Sequence, residues 1–156
     1  MRTPANGRPR SSRIQSLLAG QGERAFKAFV RRSDDRRLER TAGSGPGLKV
    51  LFGAMAQAYE PDKAAGFSGD LQYDLRRANG ELVSWTVTLG PEGASVRPGT
   101  ASAPALTLKL GVVDFVRLAG GDLDPGKALL TGRMDMEGDL AIAARLGEMF
   151  GQPSAI

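Results

Sequence analysis

Cysteine and histidine are both absent from the 156 residues of this chain. Without cysteine there are no disulfides, no thiolate metal sites and no cysteine nucleophile. Without histidine the commonest general base and the commonest metal ligand are missing as well. These absences exclude most hydrolase and zinc chemistries. An enzyme would have to use Ser, Lys and carboxylates alone, and the sequence shows no nucleophile elbow, phosphate loop or paired acid motif. We therefore expect a chain that is not an enzyme, with no catalytic residues, no metal site and no cofactor.

Long hydrophobic runs are absent too. No stretch of about eighteen apolar residues occurs, so the sequence predicts no transmembrane helix. The basic, Gly/Pro/Ser-rich beginning also lacks the apolar core of a secretory signal. The hydrophobic fraction of 41% is nevertheless ordinary for a globular protein. The sequence predicts a soluble cytoplasmic protein that has one packed domain and an appendage.

Positive charge is concentrated at one end of the chain. Residues 1–46 carry eleven Lys/Arg and four Asp/Glu, whereas residues 47–156 carry ten and thirteen. Residues 1–11 have no apolar periodicity and are expected to be disordered. From residue 12 to residue 32 apolar side chains fall at roughly helical spacing, which predicts a marginal basic amphipathic helix. The chain is therefore expected to be a basic arm attached to a mildly acidic domain.

Three interpretations of the basic arm remain open. It is a solvated tail, as charged termini commonly are; it docks on an anionic membrane through residues 12–40; or it binds nucleic acid. The sequence disfavours nucleic acid because no recognised binding module accompanies the charge. The candidate membrane-docking residues are Arg13, Arg24, Lys27, Arg31 and Arg32.

One helix and one hairpin are the clearest elements of the remaining chain. Apolar side chains at helical spacing between Leu48 and Tyr59 predict an amphipathic helix that Pro61 stops. Two strands follow, in "FSGDLQYDL" and "LVSWTVTL", where apolar and polar side chains alternate. Asn79-Gly80 between them predicts a tight hairpin turn. The pair is expected to have one apolar and one polar face.

The elements after this hairpin complete an α+β pattern. Asp124 and Asp139 are expected N-caps of two helices, the first with Pro125 at its opening position. Helices over one face of an antiparallel sheet are the architecture that this order predicts. The further predicted elements are strands near 94–97, 106–110 and 133–138, and helices at 112–118, after Asp124 and after Asp139.

The stretch "GGDLDPGKALLTGRMDMEGDL", residues 120–140, carries five acidic side chains in a short span. A calcium-binding EF-hand loop starting at Asp122 would need Gly and Glu where Lys127 and Arg133 stand, so that interpretation fails. Asp135 and Glu137 alternate with two inward methionines along a strand. Nothing in the pattern would give these two carboxyl groups the different pKa values that a catalytic acid–base pair requires. We therefore expect them to lie on a solvated face of the strand.

Residues 102–150 resemble the C-terminal half of the sterol carrier protein type 2 family. The family pattern has a Pro-led strand, a helix with an Asp, Gly-x-x-Asp-Pro, a strand, Gly-Asp and a Leu/Ala-rich helix. With the helix at 48–59 and the hairpin, the resemblance spans 47–151, which leaves an arm at 1–46 and a tail at 152–156. Gly111 departs from it, since a Ser or Thr helix cap is usual there, and "PSAI" is not a peroxisomal signal. The matching residues are Pro104, Asp114, Gly121, Asp124, Pro125, Ala128, Gly132, Gly138, Asp139 and Leu140.

The resemblance implies a five-stranded, mostly antiparallel sheet with helices packed on one face, enclosing an apolar tunnel. It implies non-catalytic carriage of a lipid: a fatty acid, acyl-CoA, phospholipid or sterol-like molecule. The C-terminal helix is the candidate lid. The inward side chains are large and deformable, as a tunnel lining requires. The candidate lipid-binding residues are Phe52, Met55, Phe67, Leu71, Tyr73, Trp85, Val87, Leu108, Phe115, Met134, Met136, Leu146, Met149 and Phe150.

An alternative to a lipid carrier follows from the same residues. The inward side chains also fit an ordinary closed core, since such stripes usually pack against each other. A chain with a closed core would be an accessory or dimerisation module acting with a partner enzyme. The polar sheet face argues against a large hydrophobic interface, so a monomer or weak dimer is expected.

Overall fold

The computed structural model describes residues 22–150. The expected disorder of residues 1–11, Arg13, the helix before residue 22 and the tail at 152–156 lie outside the described residues. The elements are α1 (22–32), α2 (Asp35–Arg40), α3 (Gly45–Ala58), a 3-10 helix (Pro61–Ala64), β1 (Gly69–Arg76), β2 (Leu82–Gly90), β3 (Gly93–Pro98), β4 (Leu106–Gly111), α4 (Val112–Ala119), α5 (Pro125–Leu130), β5 (Met134–Gly138) and α6 (Leu140–Met149).

The five strands form one sheet in the order β3-β2-β1-β4-β5. Neighbouring strands are antiparallel except β1 and β4, which run parallel in the centre. The five-stranded α+β fold with a mostly antiparallel sheet is confirmed. The parallel pair differs from the expectation of antiparallel strands, because alternation of apolar and polar residues fixes which face a side chain takes but not the direction of the strand.

The predicted alternation gives the sheet its buried face. Leu71, Tyr73 and Leu75 of β1 are buried, as are Leu106, Leu108 and Leu110 of β4. The buried side chains of α3 and α6, together with Val112 and Phe115 of α4, belong to the same apolar cluster. The core therefore lies between one face of the sheet and a layer of helices.

Local capping residues set where several helices begin. Asp124 Oδ2 accepts a hydrogen bond from Lys127 N at 2.9 Å, and Asp139 Oδ1 accepts one from Ala141 N at 3.0 Å, so both predicted N-caps are confirmed. Helix α3 begins at Gly45, three residues before the predicted start. It does so because Ser44 Oγ accepts a hydrogen bond from Gly47 N at 3.1 Å and Pro46 suits the first turn.

The segment that links β3 to β4 crosses the polar face of the sheet. Thr86 Oγ1 donates a hydrogen bond to the carbonyl oxygen of Gly99 at 2.8 Å. Gln72 Oε1 accepts one from Ala101 N at 2.9 Å. These contacts leave Thr86 with no exposed surface although it faces away from the core. The outer face is therefore polar but partly covered.

Helices α1 and α2 pack on the outer side of α4, so residues 22–46 are not separate from the domain. Val30, Leu38 and Val116 form a second apolar cluster and have no exposed surface. The sequence instead predicts an arm up to residue 46. Sequence patterns do not predict this interface, because its residues are far apart in the sequence and because α2 is too short to show a periodic stripe of apolar residues.

Arg117 stabilises the interface of α4 with α1 and α2 by polar contacts. Its Nη2 lies 2.7 Å from Asp35 Oδ1, and its Nη1 lies 2.8 Å from Asp122 Oδ2. It also donates hydrogen bonds to the carbonyl oxygens of Val30 and Ser33 at the end of α1. The hydrogen bond to Asp35 raises the pKa of Arg117. One guanidinium thus joins α4 to both N-terminal helices.

Across residues 22–150, the helices are all too short or too polar to cross a membrane.

Candidate functional site

Phe52 lies at the centre of four aromatic side chains between the sheet and the helices. Its ring stacks on Trp85 with centroids 4.9 Å apart and on Phe115 with centroids 4.8 Å apart. Tyr73 meets Phe52 edge-on at 5.3 Å and Phe115 at 5.7 Å. We call these four residues the aromatic quartet. Each is at most 7% exposed, so the quartet is part of the core.

Four different elements bring the quartet together. Phe52 comes from α3 and Phe115 from α4, while Tyr73 and Trp85 are directly opposite one another on β1 and β2. Aromatic rings in offset-stacked and edge-on pairs stabilise each other beyond the area they bury, by about 0.5–1.5 kcal/mol a pair. The quartet therefore joins both helices to the sheet.

All fourteen sequence-predicted lipid-binding residues lie in one apolar cluster or pack directly against it. Sequence reasoning thus selects a set of side chains that the structure brings together. Nine of them are buried, and the other five are partly buried: Met55, Phe67, Met136, Leu146 and Phe150.

The expected apolar tunnel is not confirmed in this conformation. The aromatic quartet fills the space between α3, α4 and the sheet with direct ring contacts. Two pockets within residues 22–150 lie at the surface. One, of about 780 Å³, lies beside α2 and the start of α4 and is lined by charged side chains; the other, of about 420 Å³, lies at the β2–β3 turn.

Helix α6, the candidate lid, is held on one side by the 3-10 segment. Met149 of α6 is fully buried, and its carbonyl oxygen accepts a hydrogen bond from Glu60 N at 2.7 Å. Arg145 Nη2 donates a hydrogen bond to the carbonyl oxygen of Lys63 at 2.8 Å. The lid face is therefore closed against the core in this conformation.

Tyr59 is a core residue with an unusual feature that the sequence did not reveal. It follows α3 directly, is 7% exposed, and its ring lies 5.4 Å from that of Phe150. Its hydroxyl oxygen is buried and has no hydrogen-bond partner among the described residues. A buried hydroxyl without a hydrogen-bond partner lowers the stability of the fold. Because the Tyr59 hydroxyl has no partner among the described residues, it can form a hydrogen bond with a polar atom of a ligand. The only indication of this hydroxyl in the sequence is a tyrosine at the end of an otherwise apolar helical stripe.

The chain has two tyrosines, Tyr59 and Tyr73, and both are expected to lose their hydroxyl protons only as the protein unfolds. Burial raises the pKa of both Tyr59 and Tyr73. The unfolded chain therefore loses these protons first, and stability is intact below about pH 10 and falls as pH rises above it. An ultraviolet titration of tyrosinate should change in step with circular dichroism. Tyrosinate that forms near pH 10 while the circular dichroism stays native would contradict this expectation.

The candidate membrane-docking residues within the described chain are all exposed. Arg24, Lys27, Arg31 and Arg32 lie on α1, and Lys27 Nζ is 3.4 Å from Glu23 Oε1. The apolar side chains of α1 face the protein, where Phe26 and Phe29 pack against the second cluster. The basic face of α1 is therefore available to a partner, whereas its apolar face is not.

The acidic residues of the 120–140 stretch lie where the sequence places them. Asp135 is exposed, and Glu137 Oε2 lies 2.8 Å from Lys109 Nζ on the neighbouring strand. The hydrogen bond that Lys109 donates to Glu137 raises the pKa of Lys109. Within residues 22–150, acidic side chains do not gather into a group of three or more that could hold a metal ion. The stretch is a capped and tightly turned scaffold with a solvated face.

The chain belongs to the SCP-2 sterol transfer family, whose pattern it matches over residues 48–151. Solved structures agree with this assignment. The crystal structure of sterol carrier protein 2 like 2 from Aedes aegypti is 26% identical, covers 65% of this chain and 94% of that one, and has a TM-score of 0.54. A solution structure of the palmitated Aedes aegypti protein is 25% identical, covers 68% and 96%, and has the same TM-score of 0.54.

Two longer proteins are similar to this chain over part of their length. Hydroxysteroid dehydrogenase-like protein 2 from Xenopus laevis is 24% identical over 109 residues, which are 69% of this chain and 26% of that protein. The sec-alkylsulfatase Pisa1 from Pseudomonas sp. is 24% identical, covers 65% of this chain and 15% of that one, and has a TM-score of 0.50. This chain thus spans about a quarter or less of each.

Proposed function

We propose that this chain binds and carries a lipid with a long apolar tail between its sheet and its helices, without making or breaking bonds. The observation that carries the proposal is the single cluster formed by the fourteen candidate residues. Four of the chain's five methionines belong to it, together with the aromatic quartet. Methionine side chains adapt to irregular apolar shapes, so such a core can rearrange around a tail.

A fatty acid is the ligand class that the comparisons favour for a first test, since the palmitated Aedes protein shares the fold and 25% of the aligned residues. Each buried methylene of a tail contributes about 0.8 kcal/mol. An acyl chain can therefore bind tightly with few directional contacts, and selectivity among acyl-CoA, phospholipid and sterol-like ligands would be low. The unpartnered hydroxyl of Tyr59 is the group best placed to meet a polar atom of the ligand.

Entry of a tail requires the closed core to open, and α6 is the element proposed to move. It packs on the core through side chains, whereas the strands of the sheet are joined by backbone hydrogen bonds, so α6 can move at a lower free-energy cost. Its inner face is formed by Ile142, Leu146, Met149 and Phe150, which pack on the main cluster. Displacing this helix would uncover the apolar interior while leaving the sheet intact.

The first experiment is native mass spectrometry of the gently purified protein, followed by solvent extraction and identification of any released lipid. We expect a stoichiometric lipid adduct, either as purified or after incubation with palmitate. Trp85 fluorescence should shift saturably in the same titration because Trp85 belongs to the quartet. A mass that stays bare after incubation with fatty acid, acyl-CoA and phospholipid would overturn the proposal.

A matched pair of variants on α6 tests the lid. Leu146 is half-buried on the inner face, whereas Leu140 is 65% exposed on the same helix. Leu146→Gln should reduce the population of the adduct, and Leu140→Gln should leave it unchanged. Equal effects of both substitutions would argue against α6 as the covering element.

The second candidate function is an accessory or dimerisation module with a closed core. The stacking of Phe52 between Trp85 and Phe115 favours it, since that contact leaves no apolar cavity between these rings. The larger dehydrogenase-like and sulfatase relatives carry a similar domain within longer chains. Association that depends on protein concentration, with no response to lipid, would favour this module over the carrier.

Peripheral contact with an anionic membrane, through residues 12–40, is a further part of the proposal. It is supported by the exposed basic side chains Arg24, Lys27, Arg31 and Arg32. Because Phe26 and Phe29 pack inward, the contact would rest on charge and would weaken as salt screens it. In this proposal the protein is monomeric or a weak dimer, cytoplasmic, and not an enzyme.

A further inference from the structure

A basic groove of about 780 Å³ lies at the end of the sheet, and none of the fourteen candidate lipid-binding residues lines it. Helix α2 forms one side, the end of β1 a second, and the start of α4 a third. Three acidic side chains also line it, so the balance of charge depends on which groups are already paired. We call this site the arginine groove, after its basic residues Arg36, Arg40, Arg76, Arg77 and Arg133.

The three acidic side chains of the groove already have partners. Asp35 is paired with Arg117 at 2.7 Å, outside the set of groove arginines. Glu39 Oε1 accepts a hydrogen bond from the backbone N of Ala78 at 2.9 Å. Asp114 Oδ1 lies 2.6 Å from Arg133 Nη2. These carboxylates are thus held in place by the fold.

Two of the five arginines are fixed by such contacts, and the other three make none within residues 22–150. Arg77 Nη1 donates a hydrogen bond to the carbonyl oxygen of Gly43 at 2.9 Å, and Arg133 is paired with Asp114. Arg36, Arg40 and Arg76 are exposed and make no ion pair within residues 22–150. Residues 1–22 contain no Asp or Glu that could supply a carboxylate.

The start of α4 adds a second source of positive potential. Gly111 is its N-cap and has no side chain, so no side-chain hydrogen bond caps the first turn. Gly111, Val112 and Val113 line the groove. The amino end of a helix carries partial positive charge on backbone N–H groups that have no intrahelical partner. This end supports anion binding beside the arginines.

We propose that the arginine groove binds the phosphate group of a phosphorylated ligand. A planar guanidinium presents paired donors that match phosphate oxygens, and several arginines around one concave site favour a multiply charged oxyanion. The phosphate can belong to a soluble compound or to a lipid headgroup. None of the fourteen candidate lipid-binding residues lines the groove, so phosphate binding there does not depend on the proposed lipid tail binding.

The test is a calorimetric titration of the full chain with inorganic pyrophosphate, at low and moderate salt. We expect one saturable site whose affinity falls with salt. The variant Arg36→Gln/Arg40→Gln/Arg76→Gln should lose at least about tenfold in affinity, since hydrogen bonds to charged groups are among the stronger ones. Its melting temperature should stay native, because the three side chains are exposed and make no ion pair within the described chain.

A matched control removes three exposed positive charges that lie outside the groove and outside the proposed membrane contact: Lys49→Gln/Lys63→Gln/Lys127→Gln. It should bind pyrophosphate like the unmodified chain. Vesicles of phosphatidic acid in phosphatidylcholine identify the source of the phosphate: groove-dependent binding to vesicles without binding to pyrophosphate assigns a lipid headgroup. Equal losses in both triple variants would show general charge attraction, and would overturn the proposal. Absence of groove-dependent binding to either probe would overturn it as well.

Discussion

Replacing Phe52 by alanine is expected to lower the free energy of unfolding by about 3–5 kcal/mol. Phe52 has no exposed surface and touches the three other rings of the quartet. The substitution removes the transfer free energy of the ring and leaves a cavity that α3 and the sheet cannot fully close. Because a domain of this kind is stable by only about 5–15 kcal/mol, the loss is a large part of the total.

The control for this variant is Val50→Ala on the same helix. Val50 is 70% exposed, and its truncation should change the free energy of unfolding by no more than about 0.5 kcal/mol. Urea unfolding of the ligand-free proteins measures both values. A loss under about 1 kcal/mol for Phe52→Ala would mean that the quartet is not packed in solution as it is here.

Palmitate distinguishes the two candidate functions in the same variant. A ligand that binds only the folded state raises stability in proportion to the logarithm of its concentration over its dissociation constant. In a carrier, palmitate should recover part of the stability lost on Phe52→Ala, because the acyl tail fills the apolar space that the ring has left. In a closed module, the variant should be destabilised to the same extent with and without palmitate.

The parts of the fold that the sequence predicts best are those set by neighbouring residues. Asp124 and Asp139 cap their helices through backbone N–H groups two or three residues away. Asn79 Oδ1 accepts a hydrogen bond from Glu81 N at 2.9 Å within the predicted hairpin turn. Each of these contacts closes within a few residues, so a single stretch of sequence contains all that is needed to predict it.

Long-range pairings could not be predicted in the same way. Gly69–Arg76 and Leu106–Gly111 are parallel neighbours although some thirty residues separate them, and neither strand carries a signal for the direction of the other. Likewise the contact of Leu38 with Val116 joins two segments whose local patterns are independent. Topology of this kind depends on which surfaces bury each other, which is a property of the whole chain.

The candidate site shows the same division. Alternation and helical spacing place the lining residues on the inner faces, and the structure groups all fourteen in one cluster. Whether a cluster is open or closed depends on how rings such as Phe52 and Trp85 stack, which periodicity does not determine. The arginine groove could not be predicted either. Arg36, Arg76 and Arg133 line one groove only because α2, the end of β1 and the turn before β5 converge there.

Leu38→Ala is expected to lower the free energy of unfolding by about 2–5 kcal/mol, although residue 38 precedes the family match. Leu38 has no exposed surface and packs with Val30 and Val116 in the second cluster. If residues 22–46 were a loose arm, truncating one of their side chains would not affect the domain. The size of the effect therefore measures how far this segment is part of the folded unit.

A second variant approaches the same interface from α4. A Cβ atom at Gly120 would lie 2.8 Å from Val30 Cγ2, so Gly120→Ala must displace α1 and should lower stability by about 1–3 kcal/mol. Arg32→Ala, at an exposed position of α1, is the control and should have little effect.

Thermal and urea unfolding should each show one cooperative transition that shifts for both interface variants. Native-like stability of Leu38→Ala and Gly120→Ala would mean that α1 and α2 do not fold with the rest. Losses of stability in both variants would show that α1 and α2 unfold cooperatively with the domain. The basic face of α1 and the arginine groove would then lie on a fixed scaffold.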